Sequence, residues 1–178
     1  MTLPRHPSVE LLESRLIHQG FVYDLRGEAL RLPSGLEQRV EIVDHPGAVA
    51  VVALDGEGRM LLVRQYRHAL GAWIEELPAG RLEAGESPLV AAQRELEEET
   101  GFAAATWSEL RRVVPAPGFC SEIIHLFLAE GLQELPGGGR PADEDEEIEV
   151  LRRSPEEILS SEMRDAKSLL AAALVLRR

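Results

Sequence analysis

Residues 80–102 read GRLEAGESPLVAAQRELEEETGF and are the most informative stretch of the chain. Ser87 is a favoured N-cap residue, and Pro88 suits the first helical position, where a missing N–H costs nothing. Gly101 stands where a helix is commonly closed by a residue with positive φ. The stretch therefore predicts a tight loop followed by a short helix.

Three glutamates of this helix share one face. Residues advance about 100° each around a helix axis, so Glu99 lies about 40° to one side of Glu95 and Glu98 about 60° to the other. Glu97 points away from that face, at roughly 200°. A neighbouring apolar stripe, expected to pack on a core, consists of Leu89, Ala92 and Leu96.

Like charges on adjacent turns repel one another by up to about 0.5 kcal/mol per exposed pair. Arg94, four residues before Glu98, offsets only part of this repulsion. A divalent metal ion offsets more, and carboxylate oxygens suit hard ions such as Mg²⁺ or Mn²⁺. The run predicts a metal site, and a solvated acidic surface is the structural alternative.

The spacing of glycines, acids and arginine resembles the Nudix box, the signature of Nudix hydrolases. Its fixed positions are filled by Gly80, Glu86, Arg94, Glu95, Leu96, Glu98, Glu99, Gly101 and Phe102. The resemblance implies that Glu95 and Glu99 bind metal, often with Glu98, which is also a catalytic candidate. It further implies that Arg94 orients a glutamate and that the glycines shape the loop.

Composition restricts the possible partners. The chain has 178 residues and a net charge of −12, which disfavours a nucleic-acid polymer because such binding needs a basic surface. Cys120 is the only cysteine, so no internal disulfide forms, consistent with a reducing cytoplasm. The N-terminus lacks a signal-peptide core, and the apolar run 169–176 is far shorter than the ~20 residues that cross a bilayer. We expect a cytoplasmic protein without a membrane partner.

Alternating apolar and polar residues at 9–17 and 21–32, a turn at 33–35 and a strand at 37–43 predict a small antiparallel β subdomain. We assign residues 1–44 to this subdomain and residues 45–178 to the hydrolase domain. The resemblance implies that the N-terminal subdomain contacts a second copy of the chain, so that the protein is a homodimer.

The rest of the chain mixes strands and helices. Apolar patterns predict further strands at 48–54, 60–66, 107–114, 123–129 and 148–151. Ser154 opens a capping box, and Asp165 caps a last helix that runs to about Leu176. The predicted class is α+β, and the resemblance implies a Nudix fold with a mixed β-sheet sandwiched between α-helices.

The runs RQYR at 64–67 and ELPAG at 76–80 resemble the ADP-ribose pyrophosphatase branch of the Nudix family. There, the position of Ala79 supplies a backbone carbonyl to a metal, that of Glu76 lies close to the substrate, and that of Arg67 touches phosphate. Arg64 is a second phosphate candidate because an arginine fork suits phosphate. For both arginines, solvated surface charge is the alternative.

Two later features extend this resemblance. Pro117 follows Gly101 by sixteen residues, where ADP-sugar hydrolases of the family carry a proline, although an ordinary turn would also explain it. The acidic run 143–147 matches a loop that delivers a glutamate to bind metal or activate water. Glu146 is the first candidate for this role and Glu144 the second, while a solvated loop is the usual explanation of such a run.

The resemblance implies Mg²⁺-dependent hydrolysis of ADP-ribose, or a related ADP-sugar, to AMP and ribose 5-phosphate, with Mn²⁺ as a possible replacement. A pyrophosphate carries at least two negative charges, so an acidic site needs cations to accept it. Other Nudix substrates remain open: NADH, a different nucleotide sugar or a dinucleoside polyphosphate. A non-catalytic nucleotide sensor is disfavoured by the complete set of box glutamates. The sequence leaves open the number of metal ions, the attacked phosphorus and the adenine contacts.

Overall fold

A computed structural model describes residues 6–138, 147–162 and 165–178. In these ranges the chain forms ten β-strands and three α-helices, which confirms the predicted α+β class. The strands are β1 (Glu10–Gln19), β2 (Asp24–Arg31), β3 (Glu37–Asp44), β4 (Ala48–Ala53), β5 (Met60–Arg67), β6 (Ala72–Glu76), β7 (Ala79–Arg81), β8 (Phe102–Val113), β9 (Ile124–Glu134) and β10 (Glu149–Arg153). The helices are α1 (Pro88–Thr100), α2 (Pro155–Ser160) and α3 (Ala166–Val175).

The chain folds as two units. The first contains the chain up to Ala48 together with Arg112–Ile124, and the second contains Val49–Arg111 and His125–Arg178. Segment 112–124 joins the first unit by backbone pairing: the Val43 N–H donates to the Phe119 carbonyl at 2.8 Å. Local sequence patterns do not signal this pairing, and the division at residues 44 and 45 stays a prediction.

The first unit contains the antiparallel sheet β1-β2-β3. The turn predicted at 33–35 joins β2 to β3, where Gly35 takes a φ of 84°. Arg31 ties the three strands together by ion pairs to Glu10 at 2.6 Å and Glu37 at 2.9 Å. Every residue of β1 is exposed, including apolar side chains such as Leu16.

The second unit contains two sheets, ordered β10-β5-β6 and β7-β4-β9-β8. β4 is buried along its whole length, as its unbroken apolar run predicted. Strands β6 and β7 were not predicted, because they are short and flank the Pro78 turn. Helix α1 covers a core formed by Val49, Val51, Ala53, Leu61, Ala91, Ala92, Leu96, Phe127 and Ala129.

Helix α1 begins and ends where the sequence predicted. The Ser87 side chain accepts a hydrogen bond from the Val90 N–H at 3.4 Å, and Gly101 closes the helix with a φ of 73°. The prediction that Leu89 packs on the core is wrong, since this side chain is 40% exposed. Leu89 lies in the first helical turn, before the part of the helix that covers the core, and Ala91 provides the contact instead.

Both C-terminal helices begin at their predicted caps. Ser154 and Glu157 form the reciprocal capping box of α2, and Asp165 accepts hydrogen bonds from the N–H groups of Lys167 and Ser168 at the start of α3. Across the described part of the chain, each helix is too short or too polar to span a bilayer.

Candidate active site

Arg94 connects the loop before α1 to the acidic face of that helix. Its Nε and Nη2 donate to the two carboxylate oxygens of Glu86 at 3.0 and 3.1 Å. Its Nη1 donates to Glu95 Oε1 at 2.7 Å and to Glu98 Oε2 at 3.0 Å. The predicted role of the arginine in orienting a glutamate thus corresponds to contacts with three of them.

These contacts change the acidity of the groups that make them. The hydrogen bonds from Arg94 are the main cause that holds the pKa of the Glu86 carboxyl below its usual value. In return, Glu86 first and then Glu98 and Glu95 raise the pKa of the Arg94 guanidinium. The loop is therefore attached to the helix by charge-assisted hydrogen bonds, which are stronger than neutral ones.

Gly80 gives the Glu95 carboxyl group room beside β7. A Cβ built on Gly80 would overlap this carboxyl group, so a larger residue would displace it. Gly80 is not among the residues with positive φ, so its backbone conformation is open to other residues. The glycine is needed here for space rather than for backbone freedom.

Glu99 lies beside Ala79, the predicted metal ligand of β7. Its Oε2 accepts a hydrogen bond from the Ala79 N–H at 2.8 Å, and Glu99 is only 6% exposed. Ala79 was predicted to offer its carbonyl oxygen to a metal. The structure places this residue in contact with Glu99, while Gly80 adjoins Glu95.

The donor set fits a hard divalent cation. Glu95, Glu98, Glu99 and the Ala79 carbonyl offer only oxygen atoms, the ligands that Mg²⁺ and Mn²⁺ prefer. Among the residues that the structure describes, no three acidic, imidazole or thiol side chains already converge as a metal-binding group. The Arg94 Nη1 donates to both Glu95 and Glu98, so these two carboxylates meet at one guanidinium nitrogen.

Arg67 and Glu76, both predicted to lie near substrate, form a 2.6 Å ion pair. Glu76 also accepts a hydrogen bond from Lys167 Nζ at 2.6 Å, and Lys167 donates to Asp165 at 2.9 Å. Lys167 was not among the site residues predicted from the sequence. The composition could have drawn attention to it, because Lys167 is the only lysine in the sequence.

Arg64 lies on the face of β5 opposite to Arg67, because successive residues of a strand point to opposite faces and the two arginines are three residues apart. Its Nη1 pairs with Glu149 at 3.1 Å, and its guanidinium lies 5.2 Å from the centre of the Trp73 ring. The structure therefore does not bring the two phosphate candidates together. Their spacing of three residues on one strand could have indicated this separation.

Three predicted site residues remain: Pro117, Glu144 and Glu146. Pro117 is exposed in a turn of the first unit, whereas the α1 glutamates belong to the second. Glu144 and Glu146 lie outside the residues that the structure describes.

Residues 44–173 match the NUDIX domain family, so the match covers most of the chain. The chain belongs to this family, and the complete box on a loop and helix α1 is consistent with a Nudix hydrolase.

Three characterised relatives cover most of the chain. The ADP-ribose pyrophosphatase of Bacillus subtilis is 46% identical over 159 residues, which cover 87% of this chain and 85% of the relative. The methanol dehydrogenase activator of Bacillus methanolicus is 40% identical, with coverages of 90% and 88%. The ADP-ribose pyrophosphatase of Mycobacterium tuberculosis is 44% identical, with coverages of 79% and 67%.

A solved structure described as an ADP compounds hydrolase has the same fold. It superposes with a TM-score of 0.82 over 98% of this chain and 95% of its own, at 21% sequence identity. This likeness shows that the two chains share a fold, and the family match identifies it as the Nudix fold.

Proposed function

We propose that this protein hydrolyses the pyrophosphate bond of ADP-ribose to give AMP and ribose 5-phosphate. The observation that carries the proposal is the 46% identity to an ADP-ribose pyrophosphatase over 87% of the chain. The arrangement of the site is consistent with it, since Glu95 and Glu99 are held against β7 next to Gly80 and Ala79.

We assign one or more divalent cations, Mg²⁺ first and Mn²⁺ second, to Glu95, Glu98, Glu99 and the Ala79 carbonyl. A bound ion of this kind lowers the pKa of a water ligand and offsets charge on the phosphates. The protein contributes the positions of the carboxylates: Arg94 holds Glu95 and Glu98 at 2.7 and 3.0 Å.

Arg67 is the proposed phosphate ligand, because its side chain is 40% exposed while its Nε is held by Glu76. The proton of the attacking water passes to a glutamate of the acidic segment, Glu146 or, failing that, Glu144. Pro117 and Arg64 stay candidates for substrate contact from the sequence. In this proposal, Arg67 orients the phosphates, and the glutamate of the acidic segment takes the proton from the attacking water.

The experiment is a substrate panel with purified protein in Mg²⁺: ADP-ribose, ADP-glucose, NADH and diadenosine tetraphosphate. We expect the highest kcat/KM for ADP-ribose, products AMP and ribose 5-phosphate, and no turnover after chelation of divalent ions. Hydrolysis in ¹⁸O-labelled water identifies the attacked phosphorus. The proposal is overturned if ADP-ribose is not cut, or if another compound is preferred by tenfold or more.

A second candidate function is suggested by the relative named as a methanol dehydrogenase activator, which is 40% identical over 90% of the chain. In that case the protein would raise the activity of a separate dehydrogenase. Adding the chain and its Glu99→Gln variant to an alcohol dehydrogenase separates the two functions. Activation by both proteins would favour binding, and activation by the unmodified chain only would make hydrolysis the cause.

We also propose that two copies of the chain associate through β1 in the cytoplasm. The exposed strand carries Leu12, Leu16 and Ile17, and Phe21 follows it with its side chain fully exposed. Contiguous exposed apolar residues commonly mark an interface. Light scattering after gel filtration should give a molar mass of twice the 19.6 kDa of one chain. Leu16→Glu should lower this mass towards that of the monomer.

A further inference from the structure

We propose that Lys167 is a positioning residue for the reaction: it holds the Glu76 carboxylate, which in turn aligns Arg67 for a substrate phosphate. The inference rests on the proposed function for the role of Arg67, and on the structure for the contacts. Neither the box nor the runs that resemble the ADP-ribose branch include Lys167.

The two oxygens of Glu76 have different partners. Oε1 accepts from Arg67 Nε at 2.6 Å, and Oε2 accepts from Lys167 Nζ at 2.6 Å. The Arg67 side chain is 40% exposed and that of Lys167 only 16%, so the arginine faces solvent while the lysine lies inside. A carboxylate fixed at both oxygens cannot rotate freely, and it therefore fixes the guanidinium that it binds.

Lys167 also sets the charge around Arg67. Together, Arg67, Glu76, Lys167 and Asp165 carry two positive and two negative charges. Burial opposes the charge of Lys167, but Asp165 and Glu76 outweigh it and raise its pKa above the ordinary value. Without the ammonium group, the remaining three side chains would carry two negative charges and one positive charge, and Arg67 would attract a phosphate less strongly.

The first turn of α3 holds the backbone as well. Asp165 Oδ2 accepts from the Ser168 hydroxyl at 2.5 Å, and the Ser168 oxygen accepts from the Leu77 N–H at 3.0 Å. Glu76 and Leu77 are thus both bound to α3. They immediately precede Pro78 and Ala79, so the same turn supports the segment that enters the proposed metal site.

The residue type at this position is informative. The other basic side chains of the chain, 18 of the 19 counted as Lys or Arg, are arginines. A compact ammonium group donates to two carboxylates in a small buried space, whereas a planar guanidinium needs more room. A lysine among arginines is therefore consistent with a steric requirement at this site.

A double-mutant cycle tests whether Lys167 acts through Arg67. We expect Lys167→Met to lower kcat/KM for ADP-ribose about tenfold, mainly through KM, and Arg67→Ala to lower it about thirtyfold. Because both changes remove the same interaction, the double variant should also lose about thirtyfold, whereas independent effects would multiply to about three-hundredfold. Lys167→Arg keeps the charge but not the compact shape, so its kcat/KM should lie between those of the unmodified protein and Lys167→Met.

A second measurement does not depend on activity. In ¹⁵N NMR spectra, the Arg67 Nε–H signal, assigned by its loss in Arg67→Ala, should be protected from solvent exchange. Lys167→Met should shift this signal and speed its exchange. Arg153→Met is the matched control, because it removes the 2.8 Å ion pair of the neighbouring Glu75 and should leave the Arg67 signal unchanged.

Multiplicative kinetics, or an unchanged Arg67 signal in Lys167→Met, overturns the inference. If the unmodified protein does not cut ADP-ribose, the proposed function fails, and the NMR signal still decides whether Lys167 positions Arg67. If Lys167→Met does not fold, Asp165→Asn replaces it in both experiments, since it removes the charge on the other side of Lys167.

Discussion

Replacing Gly80 by alanine tests whether the position of Glu95 determines activity. The added Cβ would overlap the Glu95 carboxyl group, which is the mobile end of a side chain and can rotate away. Gly80 does not have a positive φ, so its backbone conformation suits alanine and the overlap with Glu95 is the only obstacle. The rotation breaks the 2.7 Å contact between Glu95 and Arg94, a charge-assisted hydrogen bond. Such bonds contribute about 2 kcal/mol, so we expect the melting temperature to fall by about 4–8 °C.

The effect on turnover should be larger. A misplacement of about 1 Å in a catalytic constellation costs on the order of a hundredfold in rate, equivalent to about 2.7 kcal/mol. The assay is the initial rate of ADP-ribose hydrolysis across a Mg²⁺ titration. We expect lower kcat for Gly80→Ala and a higher Mg²⁺ concentration for half-maximal rate.

Gly56→Ala is the matched control. Gly56 lies in the turn between β4 and β5, where a Cβ meets nothing within 4 Å. The same added methyl group should therefore leave rate and Mg²⁺ dependence unchanged. If Gly80→Ala hydrolyses ADP-ribose at the normal rate and the normal Mg²⁺ concentration, the Glu95 carboxyl is not required where the structure places it.

Three further substitutions test other parts of the site. Glu99→Gln should lower turnover at saturating Mg²⁺ about a thousandfold, equivalent to about 4 kcal/mol of transition-state stabilisation. Glu97→Gln, on the other side of the same helix, is the control and should leave turnover unchanged. Near-normal turnover in Glu99→Gln would show that Glu99 is not a metal ligand. Arg94 lowers the folded pKa of Glu86 from 4.5, so the stability that Glu86 contributes is present above that pH and is lost as pH falls through the lowered value. Urea unfolding from pH 7 to pH 3 should show the unfolding free energies of the natural chain and Glu86→Gln converging in acid, and a pH-independent difference would contradict this. Glu146→Gln should lower turnover more than it weakens substrate binding, and unchanged turnover would shift the proton acceptor to Glu144.

Local patterns were enough to predict helix α1 and its acidic face. Ser87, Pro88 and Gly101 act on the backbone of their own neighbours, and the helical repeat places Glu95 and Glu99 on one side without any tertiary contact. The same holds for the buried strand β4, whose unbroken apolar run needs no partner to be recognised. Leu89 shows the limit of this reasoning, because the repeat gives its direction but not where the core ends.

Tertiary structure decided which side chains meet. Glu76 and Lys167 are 91 residues apart in the chain, yet their 2.6 Å contact connects Arg67 to α3. The lack of a Cβ at Gly80 matters because Glu95 packs against β7, where a Cβ would overlap its carboxyl group. Periodicity and capping describe each segment by itself, whereas these contacts arise when buried segments pack together and must satisfy one another's charges. The sequence by itself therefore determined the family, the helix and its carboxylates, and the folded chain determined the network that aligns them.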